Sequence, residues 1–236
     1  MTKQDPGTAS NALSKAVDDW TSNFPMYKQG EWDAACGAYC LLAAIDYFEA
    51  RTKSKTPKNF NRTKRERDAG LLWLASHGKE KWDIGRLTVG GKYLTLSDLV
   101  KKADTIAGLT ASRGRSTLKA LDAGDGEWVH IILVEGLRYP DPATHIDTPA
   151  EDDVGPHFLV VLQRVAGHVV VADSHPWIPS KLAYAKSVTG LISAPARSPY
   201  HVYAIKEADL RKAFETGKRG TGAFIRLSGT SPSKAR

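Results

Sequence analysis

The strongest constraint on the fold is a helical segment that is apolar on nearly every side. Residues 35–50 read ACGAYCLLAAIDYFEA, so small, aliphatic and aromatic side chains occupy almost all positions around a helix. A surface helix has an apolar stripe and a polar face, whereas a helix that is apolar all round is covered by the rest of the protein. We therefore expect this segment to run through the centre of the molecule.

The rest of the chain divides into a helical half and a strand-rich half. Helical spacing or helix-forming composition predicts further helices at 11–24, 65–78, 94–108 and 115–124. Short β-branched or aromatic runs predict strands at 127–136, 157–165, 168–174, 200–206 and 222–229. Because helices precede strands without β-α-β alternation, the sequence predicts an α+β fold with an antiparallel sheet.

The length of 236 residues and a hydrophobic fraction of 42% suit one globular domain over 1–236. We expect a helical lobe at about 10–125, a sheet lobe at about 126–230 and a flexible tail at 229–236. No apolar run approaches the roughly 18 to 20 residues that span a bilayer, and the N-terminus is polar. These features predict a cytoplasmic protein, or one delivered by a secretion system that needs no signal peptide.

The central segment also carries the residue with the clearest chemistry, Cys36. With Asp33 as the N-cap, Cys36 falls in the first helical turn, where the helix dipole and free backbone N–H groups favour a thiolate. Gly37 allows a substrate or another part of the chain to approach closely. Gln29, seven residues upstream, can supply a side-chain amide to an oxyanion.

A cysteine nucleophile needs a base and a group that orients the base. His157 begins the most hydrophobic strand, and Asp173 ends the following one. A hairpin turning near Ala166 and Gly167 brings the two strand ends side by side, so the carboxylate can hold one ring nitrogen while the other faces Cys36.

Nearby residues have competing interpretations. Cys40 is expected to pack in the core. His175, in DSHPW, is a rival base, a substrate contact or part of the site's rim. Trp177 is expected to contact substrate, and it either shields the His–Asp bond or caps the core. His145 and Asp147 are of the types that bind metals, but no third and fourth ligand lies at a suitable spacing. We therefore predict no metal site.

Taken in order, these residues resemble the papain-like cysteine peptidases, and more closely the C39-like peptidases of the bacteriocin-processing type. The resemblance rests on Gln29, on Cys36-Gly37 opening an apolar helix, and on the strands that carry His157 and Asp173. It implies a helical lobe whose central nucleophile helix packs on a C-terminal antiparallel sheet. It also implies that Gln29 lines the oxyanion hole, Cys36 is the nucleophile, His157 is the base and Asp173 orients it.

The expected function is hydrolysis of peptide or amide bonds in a peptide or protein substrate, through a thioester acyl-enzyme and without a cofactor. The same residues would also serve a deamidase, a transglutaminase or an amidase-type effector or toxin. A hypothesis of a different class is a catalytically inactive member of the fold that acts as an adaptor for an anionic partner.

Charge patterning bears on partners and substrates. Residues 51–67 hold eight Lys or Arg and one Glu, which equals the net charge of +7 of the whole chain. This basic segment has the charge to bind nucleic acid, an anionic membrane or an acidic protein. The alternative is a solvated loop that binds no partner. The acidic loop 136–156, which leads into His157, would favour basic or neutral substrates at its rim.

Overall fold

The computed structural model describes residues 6–27, 35–52, 64–82, 94–121, 127–135, 156–177, 200–216 and 222–229. The helices in these ranges are α1 (Pro6–Asn23), α2 (Cys36–Thr52), α3 (Lys64–Ser76), α4 (Leu96–Ala103) and α5 (Glu207–Glu215). The strands are β1 (Leu109–Arg115), β2 (Trp128–Val134), β3 (His157–Val165), β4 (His168–Trp177), β5 (Tyr200–Lys206) and β6 (Ala223–Gly229).

The six strands form one antiparallel sheet in the order β1-β6-β2-β3-β4-β5. One face is covered by α1, α2 and α4, with α3 behind α2, and α5 covers part of the other face. Each helix buries an apolar face against the sheet or against α2, which is the layered arrangement that lets both element types hide their apolar sides. The expected α+β class with an antiparallel sheet is confirmed.

The centre of the molecule is α2. Every residue from Ala35 to Phe48 is buried, and the helix contacts β2, β3, β4 and β6 as well as α3 and α4. The prediction that the all-round apolar segment runs through the interior is therefore confirmed. Because the sheet, α3 and α4 pack around α2, these elements fix the position of its first residue, Cys36.

One predicted helix, 115–124, is wrong in the part that the structure describes. Arg115 ends β1, and only Leu118–Ala120 form a single 3₁₀ turn. Backbone groups here bond to distant segments, because Ser116 N donates to the carbonyl of Gly222 at 2.8 Å and Leu118 N donates to the Glu215 carboxylate at 2.8 Å. Those bonds hold the chain against β6 and α5 in place of a longer helix.

Two further elements were not predicted. β1 lies inside the expected helical lobe, yet it pairs along its full length with β6 at the edge of the sheet. α5 follows β5 directly and packs Leu210, Ala213 and Phe214 onto the sheet. A strand therefore lies within the segment expected to be helical, and a helix lies within the segment expected to form the sheet.

Some predicted features lie outside the described residues, namely 53–63 of the basic segment, the acidic loop at 136–155 and the tail at 230–236. The last part of the basic segment, 64–67, begins α3. None of the helices that the structure describes combines the length and apolar character needed to cross a membrane.

Candidate active site

Cys36 is the first residue of α2. The first hydrogen bond of the helix runs from Tyr39 N to the carbonyl of Ala35 at 3.0 Å, so the N-cap is Ala35. The predicted N-cap, Asp33, is therefore wrong, although Cys36 does lie in the first turn. The thiol is free of disulfides and its residue is only 4% exposed. It lies at the N-terminus of α2, beside backbone N–H groups that have no intrahelical acceptor.

His157 and Asp173 meet at the same end of the sheet. Nε2 of His157 donates to Oδ1 of Asp173 at 2.7 Å. The His157 side chain is 17% exposed and that of Asp173 is fully buried, so the bond is largely shielded from water. The predicted juxtaposition of the two side chains is what the structure shows, and the turn lies at Ala166-Gly167, where both residues have positive φ.

A β-bulge makes this juxtaposition possible. Near the turn, Val165 pairs with His168 and Gln163 with Val170, but beyond Leu162 the register moves by one, so Val161 pairs with Val171. Continuing this shifted register places Asp173 opposite Leu159, on the face that His157 shares. Without the extra residue, Asp173 would lie opposite Val160 and point to the other face.

The pKa of His157 is set by burial and by two neighbouring side chains, Asp173 and Cys36. Burial, the largest single influence, lowers its pKa, but the charges of Asp173 and Cys36 and hydrogen bonds to both side chains raise it, and the net result lies well above the ordinary 6.5. Because Nε2 is engaged by Asp173, Nδ1 is the nitrogen that can face the sulphur. The three side chains thus form a continuous hydrogen-bonded chain from thiol to carboxylate.

Two residues of β5 hold Asp173 in place, and the sequence did not point to them. The hydroxyl of Tyr203 donates to Oδ2 of Asp173 at 2.9 Å, and Nδ1 of His201 donates to the Asp173 backbone carbonyl at 2.8 Å. β5 pairs with β4 so that Tyr203 opposes Val171. Val171 lies two residues before Asp173, and alternate residues of a strand share a face, so Tyr203 reaches the Asp173 carboxylate. The available signal was the alternation in YHVYAIK, but it identifies a strand and not its partner.

Cys40 is one turn further along α2 and is fully buried. Burial, followed by the charges of Cys36 and Asp173, raises its pKa well above the ordinary value. Its Sγ lies 3.5 Å from the carbonyl oxygen of Phe158, to which the thiol donates. Cys40 is therefore a neutral core thiol, and the expectation that it packs is confirmed.

Gly37 has a clear packing reason. A Cβ built on it would lie 3.0 Å from Cδ2 of Phe158 and 3.2 Å from Cδ1 of Leu99. The missing side chain lets β3 and α4 approach the first turn of α2, which is the close approach of another part of the chain that the sequence suggested. The predicted contact of Gly37 with substrate stays a prediction.

Four other residues named in the sequence analysis lie wholly or partly outside the described part of the chain. Gln29 and Asp33 lie outside the described residues. The backbone of His175 and Trp177 belongs to β4, beyond Asp173, but their side chains are outside the described part. Their predicted contacts with substrate therefore stay predictions.

A cleft of about 570 Å³ opens on the α2 side of the sheet, beside the start of β3. Pro156 and Phe158, the two chain neighbours of His157, form one wall, and the residues leading into α4 together with the end of β1 form the opposite wall. It is large enough for several residues of an extended peptide.

The described geometry brings together a thiol, an imidazole and a carboxylate, the three groups that acyl transfer by a cysteine uses. A thiolate beside an imidazolium can attack a carbonyl carbon, and the imidazolium can then protonate the leaving group. No protein-family model and no curated protein sequence matches the chain.

Proposed function

We propose that the protein is a papain-like cysteine hydrolase that cleaves peptide or amide bonds. The observation that carries this proposal is the hydrogen-bonded chain Cys36–His157–Asp173 at the N-terminus of a buried helix. A structural role alone does not call for a buried carboxylate, a histidine and a cysteine in this order, whereas nucleophilic catalysis requires that order.

The proposed reaction has two halves. Cys36 thiolate attacks the carbonyl carbon and forms a C–S bond, and the imidazolium of His157 donates its proton to the departing amine as the C–N bond breaks. Water then attacks the thioester with His157 as base, which releases the acid and restores the thiolate. Asp173 keeps the ring oriented throughout, as its 2.7 Å bond to Nε2 permits.

The oxyanion would be stabilised by backbone and side-chain N–H groups. The N–H of Cys36 is the first of α2 and has no acceptor within the helix, so it suits an oxyanion. Gln29 is the proposed second donor, on the basis of its resemblance to the papain-like glutamine. Hydrolysis is preferred over acyl transfer to another amine because it needs only water as the second reactant. Deamidation, which hydrolyses a side-chain amide, would use the same residues and the same water.

The decisive experiment is the rate of alkylation of each cysteine by iodoacetamide as a function of pH, read by mass spectrometry. A free thiol with a pKa of about 8.5 is only about 1% thiolate at pH 6.5. An ion-paired Cys36 should therefore react at least about tenfold faster at that pH than a free thiol, after allowance for the lower nucleophilicity of a stabilised thiolate. Buried Cys40 should not react.

His157→Ala should remove this advantage, since the positive charge beside the sulphur is lost. His168→Ala is a matched control, because His168 lies in the same hairpin but bonds to the carbonyl of Ala166 and not to Cys36. If Cys36 behaves as a free thiol, or if both histidine variants act alike, the proposed function fails.

A further inference from the structure

The cleft at the start of β3 lies close to the first turn of α2. Its wall includes Phe158, whose ring packs at the position where Gly37 lacks a side chain. Gly37 follows Cys36 directly, so one aromatic ring separates the cleft from the first turn of α2. The cleft and the reactive sulphur are therefore neighbours on the α2 side of the sheet.

The far end of the cleft is positively charged. Arg113 and Arg115 both line it and both are exposed. They are two positions apart in β1 and pair with Ile225 and Ala223, which belong to the apolar cluster around α2, so both arginines emerge on the α2 side. A hydrogen bond from Arg113 Nη1 to Oγ of Ser97 fixes one guanidinium across the cleft.

No described residue that lines the cleft balances these two charges. Among the side chains that the structure describes, neither arginine has a carboxylate partner, and the residues that line the cleft include no acid. The nearest acid in α4, Asp98, is turned into the capping box, where its Oδ2 accepts from the backbone N of Thr95 at 2.8 Å. Two uncompensated cations at one end of a cleft attract a negatively charged ligand.

The sheet gives the distance between the charges and the chemistry. β1 is three strands from β3, in the order β1-β6-β2-β3. At about 4.8 Å per strand, Arg113 and Arg115 lie roughly 14 Å from the strand that carries His157. An extended peptide covers that span with about four residues, at roughly 3.3 Å per residue.

We propose that this cleft is a substrate subsite for an acidic peptide segment, with Arg113 and Arg115 pairing with aspartate or glutamate about four residues from the scissile bond. The inference rests on the proposed function, and it specifies the substrate class. It runs opposite to the preference for basic or neutral substrates that the acidic loop 136–156 suggested, so the two expectations can be separated by experiment.

The test is fluorescence anisotropy of labelled peptides with the full-length Cys36→Ala chain, which binds without turnover. The probes are ten-residue alanine-based peptides that carry two adjacent Glu, Gln or Lys residues, and the Glu peptide should bind about three- to tenfold more tightly than the Gln peptide at low salt. The preference should weaken as salt increases. The double change R113Q and R115Q should abolish it, while R211Q, in α5 on the opposite face, should leave it intact.

Equal binding of the Glu and Gln peptides, tighter binding of the Lys peptide, or a preference that survives the double change would each overturn the proposal. An oligothymidylate that bound more tightly than the Glu peptide through the same arginines would also overturn it, because the subsite would then serve phosphates. The anisotropy does not depend on the reactivity of Cys36. A failed alkylation test would therefore remove the proposed reaction, whereas a failed peptide preference would remove the subsite alone.

Discussion

The bond from Tyr203 to Asp173 offers a sharp test of how the candidate site is held together. Replacing Tyr203 by Phe keeps the ring and removes only the hydroxyl that donates to Oδ2 at 2.9 Å. Tyr203 is 7% exposed and Asp173 is fully buried, so little water can replace the lost donor. A hydrogen bond to a charged group contributes about 1.5–3 kcal/mol, and we expect Tyr203→Phe to lower the free energy of unfolding by that amount.

The same change should alter the chemistry of His157. Without the tyrosine donor, the carboxylate of Asp173 keeps more of its negative charge for the ring, so the pKa of His157 should rise further. The upper limb of the pH profile for hydrolysis, or for alkylation by a peptide-like reagent, should then move to higher pH. A residue that only filled space would change stability without moving this limb.

Urea unfolding monitored by circular dichroism measures the first effect, and the pH profile measures the second. Tyr47→Phe is the matched control, because its hydroxyl accepts from Arg51 at 3.1 Å and lies about three turns along α2 from Cys36. The argument is refuted if Tyr203→Phe leaves both the unfolding free energy and the pH profile unchanged, or if Tyr47→Phe moves the profile equally.

Three further changes test other contacts. Gly37→Ala places a methyl group 3.0 Å from the Phe158 ring, so overpacking of about 1–3 kcal/mol should exceed the gain of up to about 1 kcal/mol in helix propensity, and urea unfolding should show net destabilisation. Asp173→Asn removes the charge that raises the pKa of His157. The resulting loss of stability should be greatest below pH 6.5 and should shrink as pH rises through that elevated pKa; a gap that is constant with pH contradicts this. Lys102→Met removes the ammonium donor from one buried and two part-buried carbonyls, so it should cost about 1–3 kcal/mol in urea unfolding, and a neutral effect would show that these bonds contribute nothing net.

Parts of the fold follow from local pattern. The burial of α2 follows from its composition, because no solvated face is available to a helix with apolar residues on all sides. The turn at Ala166-Gly167 was predictable because Gly167, at φ 73, adopts the left-handed backbone that tight hairpins need. In both cases the deciding information lies within a few consecutive residues.

Other parts depend on distant partners. β1 reads LTASRGR, a polar edge strand without an apolar run, and it exists because β6 supplies its hydrogen bonds. α5 lacks a side-chain cap at Lys206, and the acids in its first turn, Glu207 and Asp209, are a weak start signal without one. The candidate site divides in the same way, since His157 and Asp173 were predicted from one hairpin, whereas Tyr203 required the register between β4 and β5.

The bulge at Leu162 constrains the length of β3 in any chain that uses this site. Removing one residue from β3 between the turn and His157 would keep Cys36, His157 and Asp173 in the sequence. It would nevertheless turn His157 and Asp173 to opposite faces of the hairpin. Removing two would restore a shared face. Length changes in this strand should therefore be tolerated in pairs, and a sequence that matches at Cys, His and Asp but differs by one residue here would lack the assembled site.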